Sequence, residues 1–152
     1  MNVEFFESFE QQTANMQQDS YFVVFSSNTS HFIYSENTPD QFIFNLPHTL
    51  HFDHRGYKVC LKSLVLPRLT EKVSHLVVCM RGLANSVVNS QMLPVLAVIP
   101  TNQMFQGSDI YIPLTTPSVT DLEISIYRAD NLKPASFEDR PLAVALHIQR
   151  EK

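Results

Sequence analysis

The sequence predicts an all-β protein in which two sheets enclose one hydrophobic core. Apolar and polar residues alternate with a period of two over many short segments, which is the pattern of strands with one face against a core. Prolines and clusters of polar residues separate these segments, as turns do in sandwiches and barrels. The 152 residues are enough for about one domain, and a chain of this size buries roughly 68 to 70% of its unfolded surface.

The alternation is clearest between residues 37 and 68, where two strands are predicted in close succession. The first covers 41–46 and the second 57–66, with a turn at Gly56 between them and Pro67 at the end. The residues predicted to share the core face of these two strands are Phe42, Phe44, Leu46, Tyr57, Val59 and Leu61. The pattern of this segment therefore indicates its secondary structure and does not indicate a catalytic or binding site.

Seven further strands follow from the same alternation or from short apolar runs, at 21–25, 31–34, 76–81, 93–99, 109–114, 121–127 and 142–149. Their core faces are predicted to carry Tyr21, Val23, Phe25, Ile110, Ile112, Leu114, Leu122, Ile124, Ile126, Leu142, Val144, Leu146 and Ile148. The nearly continuous apolar run at 93–99 predicts a strand buried on both faces. Pro94 and Pro113 predict that their strands lie at a sheet edge or contain a bulge. Residues 83–91 are predicted to be a loop.

The chain has only three glycines, which disfavours tight two-residue hairpins and favours longer connections between sheets. The simplest architecture with these properties is a single jelly-roll (Greek-key) β-sandwich of about eight strands. We expect this domain to cover residues 21–152.

Residues 1–20 differ in composition and are predicted to form an N-terminal arm. Val3 and three phenylalanines lie near one side of a helical wheel, and phenylalanines are costly to leave in water. The alternative is a frayed terminus. The side chains predicted to make assembly contacts through the arm are Phe5, Phe6, Phe9 and Met16.

Composition also limits the classes of function. The net charge is -4 and the basic residues are scattered, so no direct sequence-specific binding of nucleic acid is expected. The acidic N-terminal residues do not fit a signal peptide, and no apolar run reaches the 18 residues of a membrane-spanning helix. Cys60 and Cys79 lie in apolar segments, which predicts core packing, a raised thiol pKa and a reducing compartment.

The histidines at positions 48, 51 and 54 are the most chemical feature of the chain. Residues three apart on a strand point to opposite faces, so His48, His51 and His54 would converge on a metal only if the segment were a loop. A polar rim is the preferred interpretation, and metal binding stays open. No catalytic residue and no cofactor are predicted, since the nucleophile-elbow and phosphate-loop motifs are missing from the sequence.

An ordered series of motifs resembles the penton (minor capsid) proteins of Polinton (Maverick) elements and adintoviruses. That family has S-N-x-S, an N-T-P/T turn, F-x-x-x-L-P and a strand ending in proline, and later a P-L-L-x-x-V-P strand, Y-V-P-L, and a closing I-x-I unit followed by V-x-L-H-F-R. The matching segments are SNTS at 27–30, NTP at 37–39, FIFNLP at 42–47, YKVCLKSLVLPR at 57–68, LPVLAVIP at 93–100, YIPL at 111–114, ISIYR at 124–128 with Pro134 and Phe137, and VALHIQR at 144–150. The resemblance covers residues 21–150.

The resemblance implies a structural capsid protein and not an enzyme. A protein of this family forms a homopentamer at the fivefold vertices of an icosahedral double-stranded DNA virus-like particle, beside trimers of a double jelly-roll major capsid protein. The implied location is the virion, after synthesis in the cytoplasm or nucleus of the host cell. A second hypothesis remains, in which the β-sandwich is a binding module that recognises a protein or glycan through its loops.

Overall fold

A computed structural model describes residues 20–26, 37–51, 56–138 and 142–151. Strands are the only regular secondary structure in these ranges, so the all-β prediction is confirmed for them. The strands are β1 (Ser20–Ser26), β2 (Gln41–His51), β3 (Tyr57–Val65), β4 (His75–Met80), β5 (Ser86–Val88), β6 (Gln91–Leu93), β7 (Val95–Pro100), β8 (Ile112–Pro113), β9 (Ser118–Arg128) and β10 (Ala143–Arg150). The arm residues Phe5, Phe6, Phe9 and Met16, the predicted strand at 31–34, and His54 lie outside the described residues.

Eight of the ten strands form two four-stranded antiparallel sheets. The first sheet has the order β1-β10-β3-β8 and the second has the order β2-β9-β4-β7. Neighbouring strands in each sheet come from distant parts of the chain, apart from the β4 and β7 pair at one edge. The remaining two strands, β5 and β6, pair only with each other.

Side chains from both sheets form one core cluster. The largest fully buried side chains in it are Tyr57, Phe42, Leu61, Leu76, Met80, Leu96, Leu122, Ile124, Ile126, Leu142, Leu146 and Ile148. Burial of each large apolar side chain contributes about 1.5 to 3 kcal/mol relative to exposure, so this cluster is the main source of stability. Phe25 of β1 joins the two sheets directly, because its ring packs 5.3 Å from Phe42 and stacks on Phe44 of β2.

The period-two prediction is confirmed for the strands that supply this core. Five of the six core-face residues predicted in 41–66 are buried, and Leu46 is partly buried against the same cluster. The predicted inward residues of β9 and β10 are all buried, and those of β1 are partly buried against the core. Alternation identified these residues because an antiparallel sheet with one covered face requires it.

The prediction that 93–99 is buried on both faces is wrong. The strand β7 begins at Val95 and lies at the edge of the second sheet, where Val98 is 53% exposed. The strand covered on both faces is its neighbour β4, in which five consecutive residues are buried. Both strands are apolar runs in the sequence, so only their positions in the sheet distinguish them.

The second face of β4 is covered by a hairpin that was predicted to be a loop. Strands β5 and β6 are joined through Asn89 and Ser90, whose φ angles of 48° and 66° suit a tight two-residue turn. Val88 and Leu93 of the hairpin pack on a small second cluster that contains Val77 and Cys79 of β4. The hairpin adds two strands to the predicted count of about eight.

The predicted strand at 109–114 is also shorter than expected. Only Ile112 and Pro113 pair with β3, and Ile110 is exposed instead of facing the core. Before β8 the chain is held to β3 by isolated bonds, including one from the Ser108 amide to the Leu61 carbonyl. Pro113 does lie at a sheet edge, as predicted, because β8 is the last strand of the first sheet. The edge or bulge predicted from Pro94 is also found, because β7 is an edge strand whose register against β4 shifts between Val78 and Cys79.

Candidate functional site

The outer face of the first sheet carries a group of polar and aromatic side chains away from the core. We use "outer face" for the side chains of β1, β10 and β3 that point away from the core, together with Tyr111, which packs against them from the segment before β8. Along one row of this face Phe22 lies opposite His147, and His147 lies opposite Cys60. Strand alternation places these side chains on the outer face because Tyr21, Leu146 and Val59 point inward.

His147 is held between two aromatic rings. The ring of Phe22 stacks on it at a centroid distance of 4.5 Å, and the Tyr111 hydroxyl lies 2.7 Å from its Nδ1 atom. Partial burial lowers the pKa of His147 below its usual value, and the nearby charge of Lys62 lowers that pKa further. The imidazole is therefore kept neutral to a lower pH than a free histidine.

Two lysines flank the ring of Tyr111. The Nζ atoms of Lys58 and Lys62 each lie 5.2 Å from the ring centroid, which is within the range of cation–π contacts. Lys62 Nζ also donates to the Ser108 carbonyl at 3.3 Å, and the Cys60 thiol donates to the same oxygen at 2.9 Å. One end of the outer face therefore combines two positive charges with an aromatic ring.

The rest of the outer face contains an exposed apolar strip that is bordered by Ser26 and Ser63. Phe22 and Val24 of β1 are 70% and 72% exposed, and Val65 of β3 is 59% exposed. Between them lie Ala143 and Ala145 of β10, which pair with both strands. Contiguous exposed apolar surface of this kind is typical of an interaction site.

A concave region lies on the opposite side of the protein, against the second sheet. A cleft of about 300 Å³ opens between the β5–β6 hairpin and the second sheet, and its polar wall includes Arg81 and Glu123, whose side chains form an ion pair at 3.5 Å. Cys79 lines this cleft, but burial raises the pKa of its thiol to about 11. A thiol with that pKa is a poor nucleophile at neutral pH.

The cysteines and histidines considered in the sequence lie in different environments. Cys60 and Cys79 are both buried and unbridged, as predicted. His48 and His51 are exposed on β2, and the described part of the chain contains no group of three or more His, Cys, Asp or Glu side chains able to hold a metal ion. The described ranges contain no helix that is long and apolar enough to cross a membrane.

The outer face itself was not predicted from the sequence, although a signal for it exists. Residues 21–25 read YFVVF, which is apolar on both faces of a strand rather than on one. Tyr21, Val23 and Phe25 were predicted to face the core, whereas no environment was predicted for Phe22 and Val24. Such an edge strand has either a second covered face or an interaction surface.

No protein-family model and no curated protein matches this chain.

Proposed function

We propose that the chain is a structural capsid protein, the penton subunit that forms homopentamers at the fivefold vertices of an icosahedral double-stranded DNA virus-like particle. The proposal starts from the ordered motifs between residues 21 and 150 that resemble penton proteins of Polinton elements and adintoviruses. Its partners would be four further copies of itself and a double jelly-roll major capsid protein, and its location would be the virion.

The pairing of the strands is the observation that carries the proposal. When the β5–β6 hairpin is set aside, the eight remaining strands pair first with last, second with seventh, third with sixth and fourth with fifth. We infer a single jelly roll from this pairing, because a long antiparallel ribbon that is wrapped into two sheets would pair its strands in this order. Jelly rolls of eight strands are a common fold of viral capsid proteins.

The mass of the particle in solution tests the proposal. We expect light scattering at high protein concentration to detect a species near five times the 17.4 kDa subunit, and negative-stain images to contain fivefold rings. The measurement is made with and without the major shell protein, because neighbouring subunits can be required for the ring to close. Only monomers under both conditions would contradict the penton proposal.

The cleft beside the hairpin supports a second candidate function, that of a module binding a protein or glycan. Its exposed Arg81 and the ion-paired Glu123 provide polar groups of both signs next to a concave wall. Glycan-array and peptide-array binding test this function directly. Binding that is lost in Arg81→Ala and kept in Lys133→Ala, which changes a lysine that does not line the cleft, would favour it over the penton.

A further inference from the structure

The solvent-facing sides of the two sheets are covered by other parts of the chain to different extents. On the second sheet the β5–β6 hairpin packs Val88 and Leu93 over Val77 and Cys79. On the first sheet the chain before β8 covers Cys60 and bonds to Lys62, but it does not extend over Phe22 and Val24, which stay mostly exposed. Among the described residues, therefore, an apolar strip on one side of the protein lacks the kind of cover that its counterpart has.

The N-terminal segment is the part of the chain best placed to supply this cover. Residues 1–19 lead directly into Ser20, the first residue of β1, which carries Phe22 and Val24. The nine residues between Glu10 and Ser20 can span up to about 30 Å when extended, at roughly 3.3 to 3.6 Å per residue. That exceeds the length of the seven-residue strand β1, which is about 23 Å at 3.3 Å per residue. Phe9 and the residues before it can therefore fold back over any part of the outer face.

The chemistry of the segment matches the chemistry of the face. Residues 3–10 read VEFFESFE, which combines three phenylalanines with three glutamates, and residues 1–19 contain no lysine or arginine. The outer face presents an apolar strip from Phe22 to Val65 and the two lysines beside Tyr111. Phenylalanines on the strip and carboxylates towards Lys58 and Lys62 would satisfy both parts of the surface together.

We propose that residues 3–10 dock on the outer face of the first sheet of the same molecule, with their phenylalanines against Phe22 and Val24 and their glutamates towards Lys58 and Lys62. Attachment through a short tether gives the segment a local concentration in the millimolar range, so weak contacts are sufficient for docking within one molecule. The docked segment would protect the apolar strip of a free subunit from nonspecific association. This inference stands apart from the penton proposal, because it concerns the single subunit.

Photo-crosslinking in the full chain tests the docking. The photoreactive amino acid p-benzoylphenylalanine is introduced in place of Phe9, and an equal mixture of unlabelled and ¹⁵N-labelled protein is irradiated and analysed by peptide mass spectrometry. We expect crosslinks to peptides of β1, β3 or β10 that join fragments of the same isotope. Crosslinks between isotopes would mean that the segment docks on a second copy, and crosslinks to the β5–β6 hairpin or to β7 would mean that it docks elsewhere. Either result overturns the proposal, as does irradiation that gives no crosslink.

Substitutions on the face separate specific docking from chance proximity. Val24→Glu and the double change Lys58→Glu with Lys62→Glu should each lower the crosslink yield at least fivefold, through the apolar strip and the charges respectively. The matched control is Val98→Glu, which places the same charge at an exposed valine of β7 and should leave the yield unchanged. An unchanged yield in both outer-face variants would contradict the proposal. Ring formation is scored separately on the same samples, so failure of the docking and failure of the penton function are distinguishable.

Discussion

Gly107 is the glycine whose surroundings leave the least room for a side chain. Its φ angle is 94°, and a Cβ atom there would lie 2.8 Å from the Lys62 carbonyl oxygen. Gly82 has a similar φ of 96°, but its nearest neighbour would be a methyl carbon of Thr116 at 3.5 Å. The two glycines therefore share the conformational requirement and differ in the steric one.

This difference predicts unequal effects of the same substitution. Gly82→Ala should lower the free energy of unfolding by about 1 to 2 kcal/mol, which is the penalty for an L-residue at positive φ. Gly107→Ala should cost more, because the methyl group would also push the chain off the carbonyl of β3. Urea unfolding of the two variants measures both effects, and equal losses of stability would show that the contact with Lys62 has no energetic role.

His147 predicts how stability depends on pH. Burial and Lys62 keep its folded-state pKa below the unfolded value of about 6.5, so the unfolded chain takes up a proton more readily than the folded protein. The part of the stability due to this residue is therefore complete above pH 6.5 and is lost as the pH falls through the lowered pKa. The other groups that face the imidazole are Phe22, Tyr111 and Cys60.

Urea midpoints between pH 7.5 and pH 5 measure this contribution. We expect His147→Gln to reduce the loss of stability over that range, whereas His48→Gln, which changes an exposed histidine of β2, should leave the slope as it is in the wild type. The same slope in all three proteins would mean that His147 does not contribute to the pH dependence.

At the scale of elements, the β5–β6 hairpin covers the second face of β4 together with Tyr127, Ala129 and Leu132. Leu93, like Val88, is a partly buried hairpin residue that packs against the cluster of Val77 and Cys79, whereas Met92 on the opposite side is 62% exposed. Loss of a partly buried leucine contact is worth on the order of 1 kcal/mol, which is roughly fivefold in a local opening equilibrium.

The reactivity of Cys79 reports on this cover. In the native protein we expect a thiol reagent at pH 8 to label Cys79 only slowly and to leave Cys60 unlabelled, because both are buried and the pKa of Cys79 is about 11. Leu93→Ser should increase the labelling rate of Cys79 about fivefold, located by peptide mass spectrometry, and should leave Cys60 unlabelled. Met92→Ser is the matched control and should behave as the wild type. Equal labelling of both cysteines in Leu93→Ser would indicate global unfolding instead of local opening.

At the scale of the whole molecule, the N-terminal segment is predicted to serve assembly rather than the fold. Ser20 already pairs with Gln149, and the core cluster of the described residues is built from 21 onwards. Deletion of residues 1–19 should therefore leave the fold intact, lower the free energy of unfolding by no more than the weak docking contacts contribute, and reduce the fraction of subunits found in rings. Circular dichroism with urea unfolding, together with particle mass, measures the two effects. A loss of soluble, folded protein would place the segment in the core instead.

The sequence was sufficient to identify the all-β class, the positions of most long strands and many of the core-facing residues of β2, β3, β9 and β10. These features are local, because alternation along β2, β9 or β10 reflects a single sheet with one covered face. It also contained the ordered motifs on which the penton proposal rests.

The tertiary structure was needed wherever the environment of a residue depends on parts of the chain that are distant in sequence. The runs at 76–81 and 93–99 look alike in sequence, yet the hairpin covers β4 and leaves Val98 of β7 exposed, since coverage depends on which strand lies at the edge. The outer face combines Phe22, Tyr111 and His147 from three separate parts of the chain, so no spacing in the sequence could place them together. Strand pairing, which is a long-range property, brought them into one surface.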